Sequence, residues 1–374
     1  MTDFPISGRV SAGFEPVREV FEANFADDQE LGAGFSAIID GQVVINLQGG
    51  WADRNKTRLW DDRTIVPLYS TTKPISALVL AHVIGALPAG YETPVAEVWP
   101  EFGVQGKSDI TIAQMVSHQA GLPGFIEPVD PAIWLDPGAC AAELAKLEPM
   151  WEPGSAHGYH PLSWGYLIGE LVYRIEDRTL GTILGEDIAG PAGIDFQIGT
   201  PQADHGRVAD IMRPRAVPSL GEINDATKAA FLTKWAAPDR GGAIWREIEI
   251  PSANGIGTAK AVAELYGLYA NKGRLNGKQV IAPSSFEALI ESRVKGQDLV
   301  LPYVTEFAAG VMRNNLNIYG PNQDTLCHSG WGGSLALGDP DRNLSAAYVM
   351  NRQSNKLQGD PRATRLVEAL YGCL

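Results

Sequence analysis

The stretch YSTTKPISALVLAHVIGAL, residues 69–87, places a serine and a lysine one helical turn apart, ahead of a strongly apolar run. Pro74 suits the first turn of a helix, where the N–H that proline lacks would have no helical acceptor. Ser70 and Lys73 then lie on one face of a helix whose remaining residues can enter the core. A lysine so close to a core is costly unless its amine is used. The stretch therefore predicts a buried helix that begins with a functional serine–lysine pair.

The lysine of this pair can activate the serine hydroxyl as a nucleophile. The positive end of the helix dipole and the apolar neighbours disfavour an ammonium group, so we expect a lowered pKa for Lys73. A partly neutral amine can act as the base for Ser70, and the Ser70 N–H at the helix start can bind a developing oxyanion. The spacing alone is weakly specific, because Ser292 and Lys295 repeat it in the polar stretch SRVKGQD, where both side chains can be solvated.

Secondary-structure patterns change along the chain. It opens with a helical run and a hairpin at an Asp-Gly turn, and it closes with strand-like runs and a helix. Between them lie mostly helical patterns and a Pro-, Gly- and Asp-rich segment at 196–257, which indicates loops at a pocket rim. We predict an α+β fold with one antiparallel sheet built from both termini and flanked by helices. The predicted sheet domain comprises residues 1–73 and 251–374, the inserted mainly helical domain comprises 74–250, and the active site lies between them.

Composition restricts the classes of partner. The chain of 374 residues has 44 acidic and 30 basic residues, a net charge of −14 and a pI near 4.9, so nucleic acids and anionic bilayers would be repelled. We expect no nucleic-acid partner, no membrane partner and no obligatory protein partner. No apolar run is long enough for a membrane span. The first residues do not form a secretory signal pattern, and three scattered cysteines suit a reducing compartment, so the expected location is cytoplasmic.

Two further segments complete the predicted site. MWEPGSAHGYHPLSWGYLIGELVYRI places Tyr159 after a Pro-Gly turn and before an amphipathic helix, and DTLCHSGWGGSLAL places a His-Ser-Gly-Trp-Gly-Gly string between strand-like runs. Together with STTK, these segments resemble the three motifs of the serine β-lactamase and penicillin-binding-protein superfamily. The resemblance is strongest to the family VIII carboxylesterases, which look like class C β-lactamases. In order and spacing it extends over roughly residues 35–350.

The resemblance implies a role for each motif residue. Ser70 is the implied nucleophile, Lys73 its base or proton relay, and Tyr159 the group that carries the proton to the leaving oxygen. The implied oxyanion hole consists of the backbone N–H groups of Ser70 and of Trp331, on the strand that carries the third motif. The implied substrate-binding residues all belong to that motif: His328, Gly330, Trp331 and Gly332. Whether Lys73 or Tyr159 is the general base stays open.

Two departures from the family pattern favour esters. Class C β-lactamases place an asparagine for the substrate's side-chain amide where this chain has Pro161, and a lysine for the substrate's carboxylate where it has His328, which is mostly neutral at pH 7. We therefore predict a serine carboxylesterase that acts on small, short-chain esters, with weak β-lactam hydrolysis and without a cofactor or metal. The alternatives are a penicillin-binding protein, a β-lactamase or D-Ala-D-Ala peptidase-like enzyme, an acyltransferase that uses the same site, and a non-enzymatic assembly protein.

Other conspicuous residues have structural explanations. His157 and His160 form an H-x-x-H pair without a third ligand nearby, so we expect a structural or pocket-lining role. His118 is expected to hydrogen-bond within its own loop. Cys327 is expected to pack under the sheet, because neighbouring strand residues such as His328 point to the opposite face. Several aromatic residues could line an acyl pocket, although aromatic side chains more often pack in the hydrophobic core: Phe125, Trp134, Trp151, Trp245 and Tyr303.

Overall fold

A computed structural model describes residues 4–26, 29–214, 216–238 and 242–374. Its strands are β1 (Ile6–Val10), β2 (Gly32–Ile39), β3 (Gln42–Gly50), β4 (Val66–Pro67), β5 (Phe196–Ile198), β6 (Gly255–Gly257), β7 (Arg274–Leu275), β8 (Lys278–Gln279), β9 (Val294–Gln297), β10 (Val304–Phe307), β11 (Met312–Arg313), β12 (Leu326–Ser329), β13 (Leu335–Asp339) and β14 (Leu344–Met350). Its α-helices are α1 (Glu15–Ala26), α2 (Thr72–Val83), α3 (Val95–Val98), α4 (Ile112–Val116), α5 (Pro137–Lys146), α6 (Ser163–Glu176), α7 (Leu180–Ile183), α8 (Gly190–Ala192), α9 (Asp225–Thr227), α10 (Ala243–Glu247), α11 (Ala259–Ala270), α12 (Pro283–Ile290) and α13 (Pro361–Gly372). Within the described ranges, no helix has both the length and the apolar composition that crossing a membrane requires.

Strands from both ends of the chain join in one nine-stranded sheet, in the order β1-β3-β2-β14-β13-β12-β11-β10-β9. β14 pairs with β2, for example Ala346 with Ala37, and thereby connects the C-terminal strands to the N-terminal hairpin. All neighbouring strands of this sheet are antiparallel. The predicted α+β class, with a sheet built from both termini, is confirmed. The division into residues 1–73 with 251–374 and 74–250 stays a prediction.

Both faces of the central strands are buried. On β14, Ala346 and Tyr348 belong to the apolar cluster formed with α1 and α13, whereas Ala347 and Val349 belong to the cluster that contains α11. This alternation follows from the two-residue period of a strand. A sheet covered on both faces needs apolar residues at successive positions, which explains the unbroken apolar run of β14.

α2 lies in the interior and begins beside a small second sheet. The strands β4, β6 and β5 form this sheet, and β4 continues through a 3₁₀ turn at Tyr69–Thr71 into α2. The helix packs against α6, α11, α12 and β12. Every α2 residue except His82 is buried, as its apolar sequence predicts. The fold therefore places Lys73, in the first turn of α2, away from water.

Candidate active site

Ser70 lies in the 3₁₀ turn that precedes α2. Tyr69 before it has a left-handed backbone, with φ of 51°, a conformation that residues with a Cβ rarely adopt. Ser334 donates a hydrogen bond to the Leu68 carbonyl at 2.8 Å, and its hydroxyl lies 3.0 Å from that of Thr71. These bonds hold the turn that carries Ser70 against the loop between β12 and β13.

Lys73 is fully buried, and oxygen atoms surround its amine. Nζ lies 3.3 Å from Ser70 Oγ and donates to the carbonyls of Pro161 at 2.8 Å and Ser252 at 3.1 Å. Burial lowers the pKa of Lys73 well below its ordinary value, because an ammonium group loses its hydration there. A neutral amine has two N–H bonds, which the two carbonyls can accept. Its lone pair can then face Ser70 Oγ.

Tyr159 completes a cluster with Ser70 and Lys73. Its ring centroid lies 4.6 Å from Lys73 Nζ, and its ring stacks on that of Phe307 at a centroid distance of 6.3 Å. The Tyr159 hydroxyl is buried and makes no hydrogen bond of regular geometry with any described residue. Burial raises the pKa of Tyr159, although the nearby Ser70 hydroxyl opposes that rise. The phenol is therefore protonated at neutral pH.

A buried carboxyl group holds the backbone of Tyr159. Asp298 Oδ1 accepts the N–H groups of Tyr159 at 3.0 Å, Val300 at 2.8 Å and Leu301 at 2.9 Å. Its Oδ2 accepts the Thr305 hydroxyl at 3.2 Å. These bonds join the segment before α6 to the loop between β9 and β10. The sequence motifs do not include Asp298, although an aspartate ahead of an apolar run can bond the N–H groups that follow it.

His118 lies beside the cluster and differs from its prediction. Its Nδ1 accepts the backbone N–H of His160 at 3.1 Å, so the prediction that it bonds within its own loop is wrong. The reason is that the Tyr159 segment folds over it, with ring centroids of His118 and Tyr159 4.9 Å apart. His160 in turn donates from Nδ1 to the Gly158 carbonyl at 2.6 Å and accepts the Leu122 N–H at Nε2, at 2.9 Å. Burial lowers the pKa of His160 to about 3, so this ring is neutral.

The two histidines of the H-x-x-H pair bond different groups. His157 Nε2 lies 2.8 Å from the Thr305 hydroxyl, whereas both ring nitrogens of His160 bond backbone groups. In the part of the chain that the structure describes, no group of three or more His, Cys, Asp or Glu side chains could hold a metal ion. Both rings therefore support the Tyr159 segment from either side.

The third motif lies where β12 ends and the chain turns toward β13. Trp331 is in this turn and not on the strand, contrary to the prediction, because the Gly330 N–H bonds back to the Ser334 carbonyl at 2.8 Å. A Cβ at Gly330 would lie 2.1 Å from the Leu68 carbonyl oxygen, so only glycine allows the turn to approach the Ser70 segment this closely. Gly332 has φ of 92°, which also favours glycine.

His328 presents an uncharged ring to the cluster. Its Nδ1 donates to the Ser329 carbonyl at 2.7 Å, and its Nε2 is buried without a hydrogen-bond partner among the described residues. Burial lowers the pKa of His328 to about 3, and the positive charge that Lys73 can carry adds to this effect. Cys327 is also buried, and it packs in the apolar cluster with α1 and α13, as predicted.

The second Ser-x-x-Lys match lies at the surface. Ser292 donates to Glu306 at 2.9 Å, and Lys295, whose side chain is 61% exposed, pairs with the same carboxylate at 2.9 Å. Ser292 and Lys295 thus provide a solvated counterpart to the buried pair, as the polar sequence around them predicts.

One cavity brings the predicted residues together. Ser70, Tyr159, His328 and Trp331 all line a partly open space of about 60 Å³. The rest of its lining is mainly apolar, with Ser329 and Gln358 as polar members: Tyr69, Pro161, Leu162, Ala230, Phe231, Trp245, Ala253, Leu301 and Leu357. Among the aromatic residues that the sequence singles out, Trp245 lines the cavity. Phe231, which no motif indicates, packs beside Trp331 with ring centroids 6.1 Å apart.

Known proteins resemble this chain over nearly its whole length. The model of the family described as Beta-lactamase matches residues 17–370. Esterase/beta-lactamase LipL of Mycobacterium tuberculosis is 28% identical over 363 residues, which are 93% of this chain and 83% of LipL. A penicillin-binding protein homolog from Caulobacter crescentus, known from its crystal structure, is 50% identical in sequence with a TM-score of 0.96. A family VIII carboxylesterase of known crystal structure is 37% identical with a TM-score of 0.91. Each match covers 99% of this chain and 100% of the other chain. The resemblance predicted from the three motifs is confirmed.

Proposed function

Because this chain belongs to the beta-lactamase family, we propose that it is a serine hydrolase that cleaves short-chain carboxylic esters through an acyl-enzyme on Ser70. The observation that carries the proposal is the buried amine of Lys73, 3.3 Å from Ser70 Oγ and beside the protonated Tyr159 hydroxyl. A serine hydroxyl becomes an effective nucleophile when a neighbouring base takes its proton. A neutral lysine is such a base.

In acylation, Lys73 takes the proton of Ser70 while Oγ attacks the ester carbonyl carbon. The carbonyls of Pro161 and Ser252 hold the amine in this orientation. The ammonium that forms lies 4.6 Å from the Tyr159 ring centroid, where a desolvated cation–π contact contributes up to about 2 kcal/mol. Negative charge develops on the carbonyl oxygen, and we assign its stabilisation to the backbone N–H groups of Ser70 and Trp331.

Collapse of the tetrahedral intermediate breaks the bond to the alcohol. Tyr159 gives its proton to the departing alkoxide and receives one from the Lys73 ammonium, so the acyl-enzyme is left with both groups neutral. In deacylation, water attacks the acyl carbonyl and its proton passes through the same pair, and Ser70 leaves as a hydroxyl. This scheme makes Lys73 the general base and Tyr159 the proton carrier, a choice that the sequence leaves open.

The part of the ester that enters this cavity is expected to be short and apolar. The cavity's lining is mainly apolar around the space of about 60 Å³, which suits a small acyl group. His328 is uncharged because burial lowers its pKa to about 3, so it does not replace the lysine that binds a carboxylate in β-lactamases. Gly330 and Gly332 shape the turn that carries Trp331, because a Cβ at Gly330 would meet the Leu68 carbonyl and one at Gly332 would meet the Gln353 side chain. The reaction requires only groups of this chain and water.

The decisive experiment is the initial rate on 4-nitrophenyl butyrate for the wild type and for Ser70→Ala. We expect the wild type to hydrolyse the ester and Ser70→Ala to lose at least about a thousandfold in kcat. Ser292→Ala makes the same substitution in the surface match and should keep the wild-type rate. An inactive wild type, or equal rates for wild type and Ser70→Ala, would refute the proposed function.

A second candidate is a protein that penicillins acylate but that releases the product slowly. It is favoured by the 50% identity to the penicillin-binding protein homolog. Intact mass after incubation with benzylpenicillin distinguishes the two: a persistent adduct on the wild type that is absent from Ser70→Ala supports this candidate. Unmodified protein with rapid ester turnover excludes it.

A further inference from the structure

A second cleft adjoins the active-site cavity on the other side of Tyr69. Tyr69 and Trp245 line both spaces, and their ring centroids lie 6.2 Å apart, so the two spaces meet at these rings. The cleft has a volume of about 590 Å³. Among the described residues, its charged lining consists of three arginines and one aspartate: Arg54, Arg213, Arg246 and Asp210.

Two of these arginines have no carboxylate partner among the residues that the structure describes. Arg54 is paired with Asp210, at 3.9 Å between Nε and Oδ2, and donates to the Ile211 carbonyl at 3.4 Å. For Arg213 and Arg246, no carboxylate oxygen of the described ranges lies within 4.0 Å of the side-chain nitrogens. Arg246 Nε is buried and has no hydrogen-bond acceptor among the described residues, and an unpaired buried donor is unfavourable. Within the described part of the chain, the cleft thus combines two arginines that lack a carboxylate partner with a buried N–H donor that lacks an acceptor.

This charge contrasts with the rest of the chain. A net charge of −14 repels anions at long range, so an anion binds only where local positive charge outweighs that repulsion. Guanidinium groups bind carboxylates with paired, charge-assisted N–H donors. The position beside Tyr69 and Trp245 means that a ligand in the cleft can be continuous with an ester in the active-site cavity.

We propose that the Arg213–Arg246 cleft binds a carboxylate of the substrate, so that the preferred esters carry an acidic arm that extends past Tyr69. This inference rests on the proposed function of the Ser70 cavity and narrows its substrate class. The carboxylate of the substrate would be bound on the Tyr69 side of the site. This side lies away from His328, which occupies the position of the β-lactamase lysine. The acidic arm belongs either to the acyl group or to the alcohol.

The test compares the specificity constants, kcat/KM, for esters that differ in terminal charge. For an acidic acyl group, the value for mono-4-nitrophenyl glutarate is divided by that for 4-nitrophenyl pentanoate. For an acidic alcohol, the value for 4-butyryloxybenzoate is divided by that for 4-butyryloxybenzamide. In Arg213→Gln/Arg246→Gln, one ratio should fall about tenfold, since an ion pair at the exposed Arg213 and one at the half-buried Arg246 contribute about threefold each. The ratio that falls identifies the arm.

Two matched variants control for charge and folding. Arg9→Gln/Arg342→Gln removes two exposed arginines from β1 and from the turn between β13 and β14, and it should keep both ratios. Arg213→Lys/Arg246→Lys keeps the charge of the cleft without the paired donors and should recover part of the lost ratio. If both ratios are the same in the double glutamine variant as in the wild type, the proposal is overturned.

Equilibrium binding separates this proposal from the proposed function. If the wild type hydrolyses none of the four esters, the esterase proposal fails. Calorimetric titration with glutarate then tests, independently of catalysis, whether the cleft binds a carboxylate. Binding to the wild type that is lost in Arg213→Gln/Arg246→Gln upholds an anion site, and it should weaken in high salt. No binding, or equal binding to both proteins, overturns it.

Discussion

Replacing Lys73 with methionine tests whether the buried amine is neutral in the folded protein. Methionine is similar in length and binds no proton. Between the lowered pKa of Lys73 in the folded state and its ordinary value of 10.5 in the unfolded chain, the unfolded chain holds one proton more than the folded chain. In this window, Lys73 therefore makes the free energy of unfolding of the wild type rise by about 1.4 kcal/mol per pH unit. That contribution is lost as the pH falls toward the folded-state pKa.

The assay is urea denaturation of both proteins at several pH values between about 6 and 9, and the readout is the difference in their free energies of unfolding. At every pH above the folded-state pKa of Lys73, Lys73→Met should gain stability relative to the wild type as the pH falls, by about 1.4 kcal/mol per unit. Loss of the bonds to the Pro161 and Ser252 carbonyls costs about 1–3 kcal/mol each. This cost moves the difference by a constant and leaves its slope unchanged. The difference also cancels titrations that both proteins share.

A difference that does not change with pH would refute the reasoning. It would mean that Lys73 keeps its proton in the folded protein, and the assignment of Lys73 as general base would fail with it. Lys295→Met is the same substitution on a side chain that is 61% exposed, and it provides the baseline slope.

Three other substitutions have expected outcomes. Tyr159→Phe should lower the turnover rate on the butyrate ester by about a hundredfold or more, and full activity would exclude the proton-carrier role. Its melting temperature should be equal to or higher than that of the wild type, because the buried hydroxyl has no regular hydrogen bond to the described residues. Asp298→Ala should lower the free energy of unfolding by about 3 kcal/mol or more, because three buried N–H groups lose their acceptor, whereas Asp298→Asn keeps an oxygen there and should lose less. Equal losses in urea titrations would count against this role of Asp298. Phe231→Ala should extend the acyl-chain length accepted in a series of 4-nitrophenyl esters by enlarging the cavity, while Leu232→Ala, at a side chain 49% exposed, should leave it unaltered; the same chain-length limit in both variants would show that Phe231 does not set it.

The sequence alone determined the features that depend on local spacing. Ser70 and Lys73 are three residues apart and Pro74 follows, so any helix that begins there brings the two side chains together. The Asp40-Gly41 turn lies between β2 and β3 as its type predicts. The order of the three motifs was sufficient to identify the family, because motif order is a property of the chain itself.

Features that depend on contacts between distant parts of the chain are visible only in the folded molecule. The edge strands β1 and β9 are largely exposed, so they lack the apolar alternation of a strand and form by pairing with β3 and β10. The surroundings of Lys73 come from carbonyls 88 and 179 residues away along the chain. Likewise, Asp298 holds Tyr159 across 139 residues. Burial and hydrogen-bond partners are properties of the assembled fold, and they decide whether an amine carries its proton.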